Sequence, residues 1–168
     1  MSTPIETERK FLIRMPDLSL LSSLEGVRVM NMEQTYLVSE QGKNSRVRKI
    51  DENGKLRFIK TTKQRISTLS CYEQEEDISA EKYENELKSA DPKRSTVIKT
   101  RYAFPYALHT VEIDVYPFWS DRAILEIELS NESESIEMPD FIEVIREVSE
   151  DNRYKNTNLA ISIPFDAI

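Results

Sequence analysis

The feature that most constrains this chain is a phase. Charged residues recur two apart while hydrophobic residues fill the positions between them. Glu6, Glu8 and Lys10 alternate against Ile5, Phe11 and Ile13. Glu112 and Asp114 alternate against Val111, Ile113 and Val115, and Glu126 and Glu128 against Leu125, Ile127 and Leu129. Glu73 and Glu75 repeat the acidic pattern. Arg46 with Arg48, and Lys99 with Arg101, are basic versions, with Lys60 on a strand between them. Side chains alternate across a β-strand, so each stretch has one charged face and one apolar face. Like charges two apart on a strand lie roughly 7 Å from each other. At an effective dielectric of about 20 they repel by about 2 kcal/mol. Salt water weakens that repulsion. A barrel interior strengthens it unless opposite charges or a bound ion compensate. The residues alone leave both orientations open: charge toward solvent, or acidic and basic faces meeting across a lumen.

The length of 168 residues suits one domain spanning the whole chain. Apolar alternation predicts strands over 5–14, 33–39, 45–51, 55–61, 72–78, 95–104, 109–115 and 123–130. Asn53-Gly54 is a two-residue hairpin signal. Residues 105–108 read as another tight connection. Three helices are predicted. The first runs over 17–25 with Gly26 as its C-cap. The second is N-capped by Ser79 and runs to about Ala90, with Ile78 and Tyr83 as a hydrophobic staple. The third covers 139–150, where Phe141, Val144, Ile145 and Val148 have helical spacing. Ile161, Ile163 and Phe165 alternate as a short final strand. Many antiparallel strands with few helices predict a mainly β, α+β fold with a closed or nearly closed barrel.

A formal net charge of −7 argues against a general nucleic-acid or membrane-surface binder, since both reward a positive face. An acidic chain still binds polyphosphate if its cations are gathered in one place. The single cysteine, Cys71, excludes an internal disulfide and a cysteine-based metal site. No apolar run is long enough to span a bilayer, and the N-terminus lacks a signal-peptide pattern. A reduced cytoplasm is the expected location.

The opening Ile5-Glu6-Thr7-Glu8-Arg9-Lys10-Phe11-Leu12 resembles the Glu-x-Glu-x-Lys signature of the CYTH domain, the triphosphate tunnel metalloenzymes. It is followed in order by Gln34 to Leu37, Arg46-Val47-Arg48, Phe58-Ile59-Lys60, Glu73-Gln74-Glu75, Lys99-Thr100-Arg101, Val111 to Asp114 and Leu125 to Leu129. The closing Arg153 to Ala160 resembles the family's C-terminal segment. The resemblance therefore covers nearly the whole chain. It implies an eight-stranded antiparallel closed barrel forming a tunnel, with a few packing helices and the charges inside. Lys10, Arg46, Arg48, Lys60, Lys99, Arg101 and Lys155 would hold phosphate oxygens. Glu6, Glu8, Asp114, Glu126 and Glu128 would hold Mg²⁺ or Mn²⁺, for which hard oxygen donors are suited. Glu6, Glu8 and Lys10 would form the catalytic signature, with Glu73, Glu75 and Glu112 in supporting places. One departure stands out. Family members often carry an arginine just before the segment matching Glu73, where this chain has Leu69-Ser70-Cys71-Tyr72 and its nearest arginine is Arg65.

The implied activity is metal-dependent hydrolysis of a triphosphate, with inorganic tripolyphosphate the leading substrate. Adenylate cyclisation and thiamine triphosphate hydrolysis are alternatives. The latter needs an aromatic platform, for which Phe118 and Trp119 are candidates. A polyphosphate- or nucleotide-binding module without turnover is the alternative of another class, but inward carboxylates would repel a polyanion unless metal were present. The expected partner is a triphosphate-bearing small molecule, with a homodimer plausible and no nucleic acid or membrane. His109 reads as a turn residue, Cys71 as a small buried one, Tyr36 and Tyr116 as packing, and 131–137 as a solvated loop.

Overall fold

The computed structural model describes residues 5–168. Its strands are β1 (Ile5–Arg14), β2 (Arg28–Tyr36), β3 (Lys43–Glu52), β4 (Lys55–Arg65), β5 (Ser70–Ile78), β6 (Val97–Tyr106), β7 (His109–Val115), β8 (Arg122–Glu128) and β9 (Val144–Glu147). The helices are α1 (Leu18–Ser23), α2 (Ala80–Glu86) and α3 (Asn156–Leu159). The antiparallel order is β5-β4-β3-β2-β6-β7-β8-β1. It closes where Ile5, Glu6 and Thr7 pair with Tyr72, Cys71 and Ser70. Eight strands thus form a closed barrel, and β9 adds to the outside edge of β1.

The local signals explain most of these elements. Asp17 caps α1 by accepting from the Ser19 and Leu20 amides. Ser79 caps α2, and Ile78 packs with Tyr83 in one apolar cluster, as a staple requires. Asn53 and Gly54 both have positive φ, the geometry of a two-residue hairpin that follows strand twist. The β6–β7 hairpin uses the same backbone at Ala107 (φ 45°) and Leu108 (φ 68°), residues that pay a steric penalty there.

Two expected elements are overturned. Residues 139–150 contain strand β9 and no helix. The edge of β1 beyond Thr7 has no partner from β5, and Phe11 to Ile13 take β9 instead. Closing that open edge outweighs a helical spacing of apolar residues, and Arg9–Glu147 and Arg14–Glu143 ion pairs accompany it. The tail over 161–165 is not a strand. It is fixed by side chains: the Trp119 indole donates to the Pro164 carbonyl at 3.0 Å and Arg122 donates to the Asp166 carbonyl at 2.6 Å.

The largest core lies outside the barrel wall. Phe11, Ile13, Tyr102, Phe104, Val111, Ile113, Leu125 and Ile127 are buried there, covered by Leu20, Leu21 and Leu24 of the α1 region and by Ile136, Met138 and Ile142. These residues occupy the phase opposite the charged pairs, so burying them outside turns the charges inward. Two apolar clusters reach the lumen. Met30, Met32, Ile50, Ile59 and Ala103 fill one part, while Leu12, Tyr36, Val97 and Ile124 join Tyr116, Trp119 and Tyr154 in another. No helix among the described residues is long and apolar enough to cross a membrane.

Candidate active site

A cavity of about 420 Å³ lies inside the barrel. The strand phase aims Glu6, Glu8 and Lys10 of β1, Arg46 and Arg48 of β3, Glu73 and Glu75 of β5, Arg101 of β6, Glu112 of β7, and Glu126 and Glu128 of β8 into it. Lys155, just before α3, closes over one side.

Three expected residues stand elsewhere. Lys60 faces the outside of β4 and donates to Glu86 of α2 at 3.0 Å. Its neighbours in phase, Phe58 and Thr62, share that outer side, and Phe58 packs on Tyr83. Lys99 points inward but is sealed, with its Nζ 2.7 Å from Asp114. Asp114 in turn receives Arg101 through Nε at 2.8 Å and Nη2 at 2.9 Å. Both of its oxygens are engaged by cations, so it acts as a buried counter-ion that aims Arg101 rather than as a free metal donor. Arg101 also reaches Glu112 at 2.9 Å.

The sequence reading missed Lys63, Arg65, Lys43, Asn44, Asn156 and Thr157, all of which line the cavity. Lys63 lies 2.8 Å from Glu6 and 3.3 Å from Glu73. The signal was available: β4 continues to Arg65, and Thr61, Lys63 and Arg65 keep the inward phase of Ile59. Arg65 also resolves the departure at Cys71. The two residues are directly opposite in the β4–β5 register and both line the cavity, so the neighbouring strand supplies the cation. Trp119 packs in the core with its indole N–H bonded to Pro164, which removes it as an aromatic platform.

The electrostatics are unbalanced in two ways. Arg46 makes no ion pair among the described residues, and buried donors Arg46 Nε and Arg48 Nε have no hydrogen-bond partner. Burial, with Arg46 and Arg101 nearby, pushes Arg48 down to about 9, still a cation at neutral pH. Two buried guanidinium groups lining one cavity, one of them with no carboxylate partner, suit an anion. The carboxylates are crowded in turn. Glu8 is opposite Glu128, and Glu112 is opposite Glu126. Burial first, then Glu126 and Glu6, drives Glu8 well above the ordinary carboxylate range. Burial and neighbouring glutamates also raise Glu112 and Glu128. Burial opposes ionisation of Glu126, but Lys10, Arg101 and Lys99 hold it below the usual range. Burial and its hydrogen bond with Glu6 push Glu73 up to about 8. Despite burial, that same bond and Lys63 pull Glu6 down to about 2.

Crowded carboxylates of this kind suit a hard divalent cation, whose charge removes their repulsion. Glu8, Glu126 and Glu128 are the available donors, with Glu6 beside them. Among the described residues no three acidic, histidine or cysteine side chains already converge on one point, so a metal would draw them together.

No protein-family model matches the chain, and no curated protein does. Solved structures do. The inorganic triphosphatase NE1496 is 29% identical over 98% of this chain and 98% of its own, with a TM-score of 0.57. The PH1819 protein of Pyrococcus horikoshii is 20% identical over 76% of this chain and 80% of its own, with a TM-score of 0.59. A candidate adenylate cyclase of Vibrio parahaemolyticus is 13% identical over 76% of this chain and 79% of its own, with a TM-score of 0.52. The last two share the fold alone.

Proposed function

Because the chain has the CYTH, triphosphate-tunnel fold, we propose that it is a divalent-metal-dependent triphosphatase acting on inorganic tripolyphosphate. The observation that carries this reading is the convergence of Lys10, Arg46, Arg48, Lys63, Arg65, Arg101 and Lys155 on one barrel cavity beside a bank of glutamates. The 29% identity to an inorganic triphosphatase along nearly the full length supports it. A tripolyphosphate carries several negative charges, and charge-assisted bonds from arginine forks and lysines are the strong ones.

In this reading Arg46 and Arg48, which both line the cavity, grip phosphate oxygens through their guanidinium ends. Arg101 is held in place by Asp114 and Glu112, so its remaining contact face is preorganised toward the cavity. Lys10 lines the cavity with its Nζ 3.4 Å from Glu126 and donating to the Tyr154 carbonyl. Glu8, Glu126 and Glu128 would hold the Mg²⁺ or Mn²⁺, which when bound supplies charge neutralisation at the phosphates and acidifies a water. Arg48, Lys99, Asp114 and Glu126 are buried in the wall, which strengthens their electrostatic contacts.

Phosphate release from tripolyphosphate, ATP and thiamine triphosphate, each with Mg²⁺ or Mn²⁺ and with chelator, tests the reading. Metal-dependent release that is fastest from tripolyphosphate is the expected result. Tight metal-independent binding without release from any of the three would make the chain a binding module. In the Arg48→Ala variant tripolyphosphate binding should weaken about 10- to 100-fold while the fold stays intact. A collapsed circular-dichroism spectrum would give Arg48 a structural role instead.

A further inference from the structure

The tunnel has unlike ends. At one end a cavity of about 270 Å³ is lined by Ile5, Glu6, Thr7, Glu73, Glu128 and Leu129, with Lys63 bonded to Glu6 and Glu73. From Glu6 at that end, β1 runs inward to Lys10. Elsewhere Lys43, Asn44 and Thr157 line the tunnel. A second cavity of about 450 Å³ continues outward there. It shares Tyr36, Lys43, Asn44 and Thr157 with the tunnel. Beyond them lie Val38, Pro92, Lys93 and Arg94.

The chemistry of this vestibule is specific. Lys43, Lys93 and Arg94 line it with one carboxylate, Asp91; Arg94 pairs with Asp91 and Lys43 with Glu40, at 3.6 Å, which leaves Lys93. The exposed Lys93 makes no ion pair among the described residues, and its backbone is fixed by the bond from its amide to Asp91. Thr157 lines both cavities, and its buried hydroxyl has no hydrogen-bond partner. The one aromatic ring in the lining, Tyr36, is 4% exposed and its hydroxyl accepts from Gln34, so no face is free to stack a nucleobase. Polyanions are drawn to a cluster of cations.

We infer that the vestibule receives the fourth and later phosphates of a linear polyphosphate whose terminal three phosphates occupy the tunnel. The inference rests on the triphosphate reading of that tunnel. The chain enters from the vestibule, and its length beyond three extends over Lys93.

Calorimetric titration with tripolyphosphate, tetrapolyphosphate, long-chain linear polyphosphate and ATP tests this, using the native chain and Lys93→Glu. Native protein should bind the longer chains about 10-fold tighter than tripolyphosphate, and Lys93→Glu should abolish that preference while leaving tripolyphosphate affinity in place. Equal affinity for all lengths would overturn the inference, as would a Lys93→Glu effect equal on all lengths. Tighter binding of ATP than of tetrapolyphosphate, lost in Lys93→Glu, would assign the vestibule to a nucleoside instead. In any of these cases, tripolyphosphate binding and hydrolysis by the native chain keep the tunnel reading standing. No tripolyphosphate binding at all overturns that reading and the inference with it.

Discussion

The inner and outer faces of the barrel wall are made from the same strands, yet they do opposite work. On β4, Lys60 and Lys63 are three residues apart. Lys60 leans outward to Glu86 beneath α2, and Lys63 leans inward between Glu6 and Glu73. On β8, Leu125 and Ile127 build the outer core while Glu126 faces the cavity. Stability is concentrated on the outside and chemistry on the inside, so a shift of one residue in phase exchanges the two roles.

Leu125 tests the outer face most severely. It is fully buried, and Leu125→Ala should destabilise the protein by about 2–5 kcal/mol in denaturant unfolding. Tripolyphosphate affinity of the molecules still folded should not change; a parallel loss of affinity would break the division between faces. Glu128→Gln probes the inner face with the opposite signature. Turnover should fall about 100-fold with little loss of tripolyphosphate binding or melting temperature, and unchanged turnover would remove Glu128 from the metal donors. The two lysines give the direct comparison. Lys63→Ala should weaken tripolyphosphate binding about 10-fold, whereas Lys60→Ala should leave it unchanged. Equal effects would mean that face does not decide function on β4.

The smallest effect sharpens the electrostatic side. Glu73 sits at about 8 because of burial and its bond with Glu6, while in the unfolded chain it ionises near its ordinary 4.5. The folded state therefore holds more protons between those two values, and stability falls as pH rises through that window. Glu73→Gln cannot titrate. In metal-free protein its melting temperature should gain on the parent's as pH rises from 5 to 8, and a constant difference would mean that Glu73 ionises normally.

Much of this was legible without coordinates because the strand period is short and strict. The paired charges and alternating hydrophobes of β1, β3, β7 and β8 gave the correct faces, and Ser79 and Asn53-Gly54 marked their cap and turn. Ending β4 at residue 61 hid Lys63 and Arg65, and reading Lys60 by its motif position rather than its phase put it on the wrong side. The helix expected over 139–150 failed for a different reason: apolar spacing there is ambiguous, and the unfilled edge of β1 selected a strand.

The sequence by itself determined which residues share a face, since that follows from backbone geometry within one strand. Only the tertiary structure decided which face is inside. That choice depends on covering the apolar face with α1 and the 136–142 segment, and on closing β1 against β5. It also decided which inward charges remain available. Asp114 and Lys99 are consumed by each other and by Arg101, while Arg46 and Arg48 keep donors unsatisfied. Contacts between strands far apart in sequence set that difference, and no local pattern encodes them.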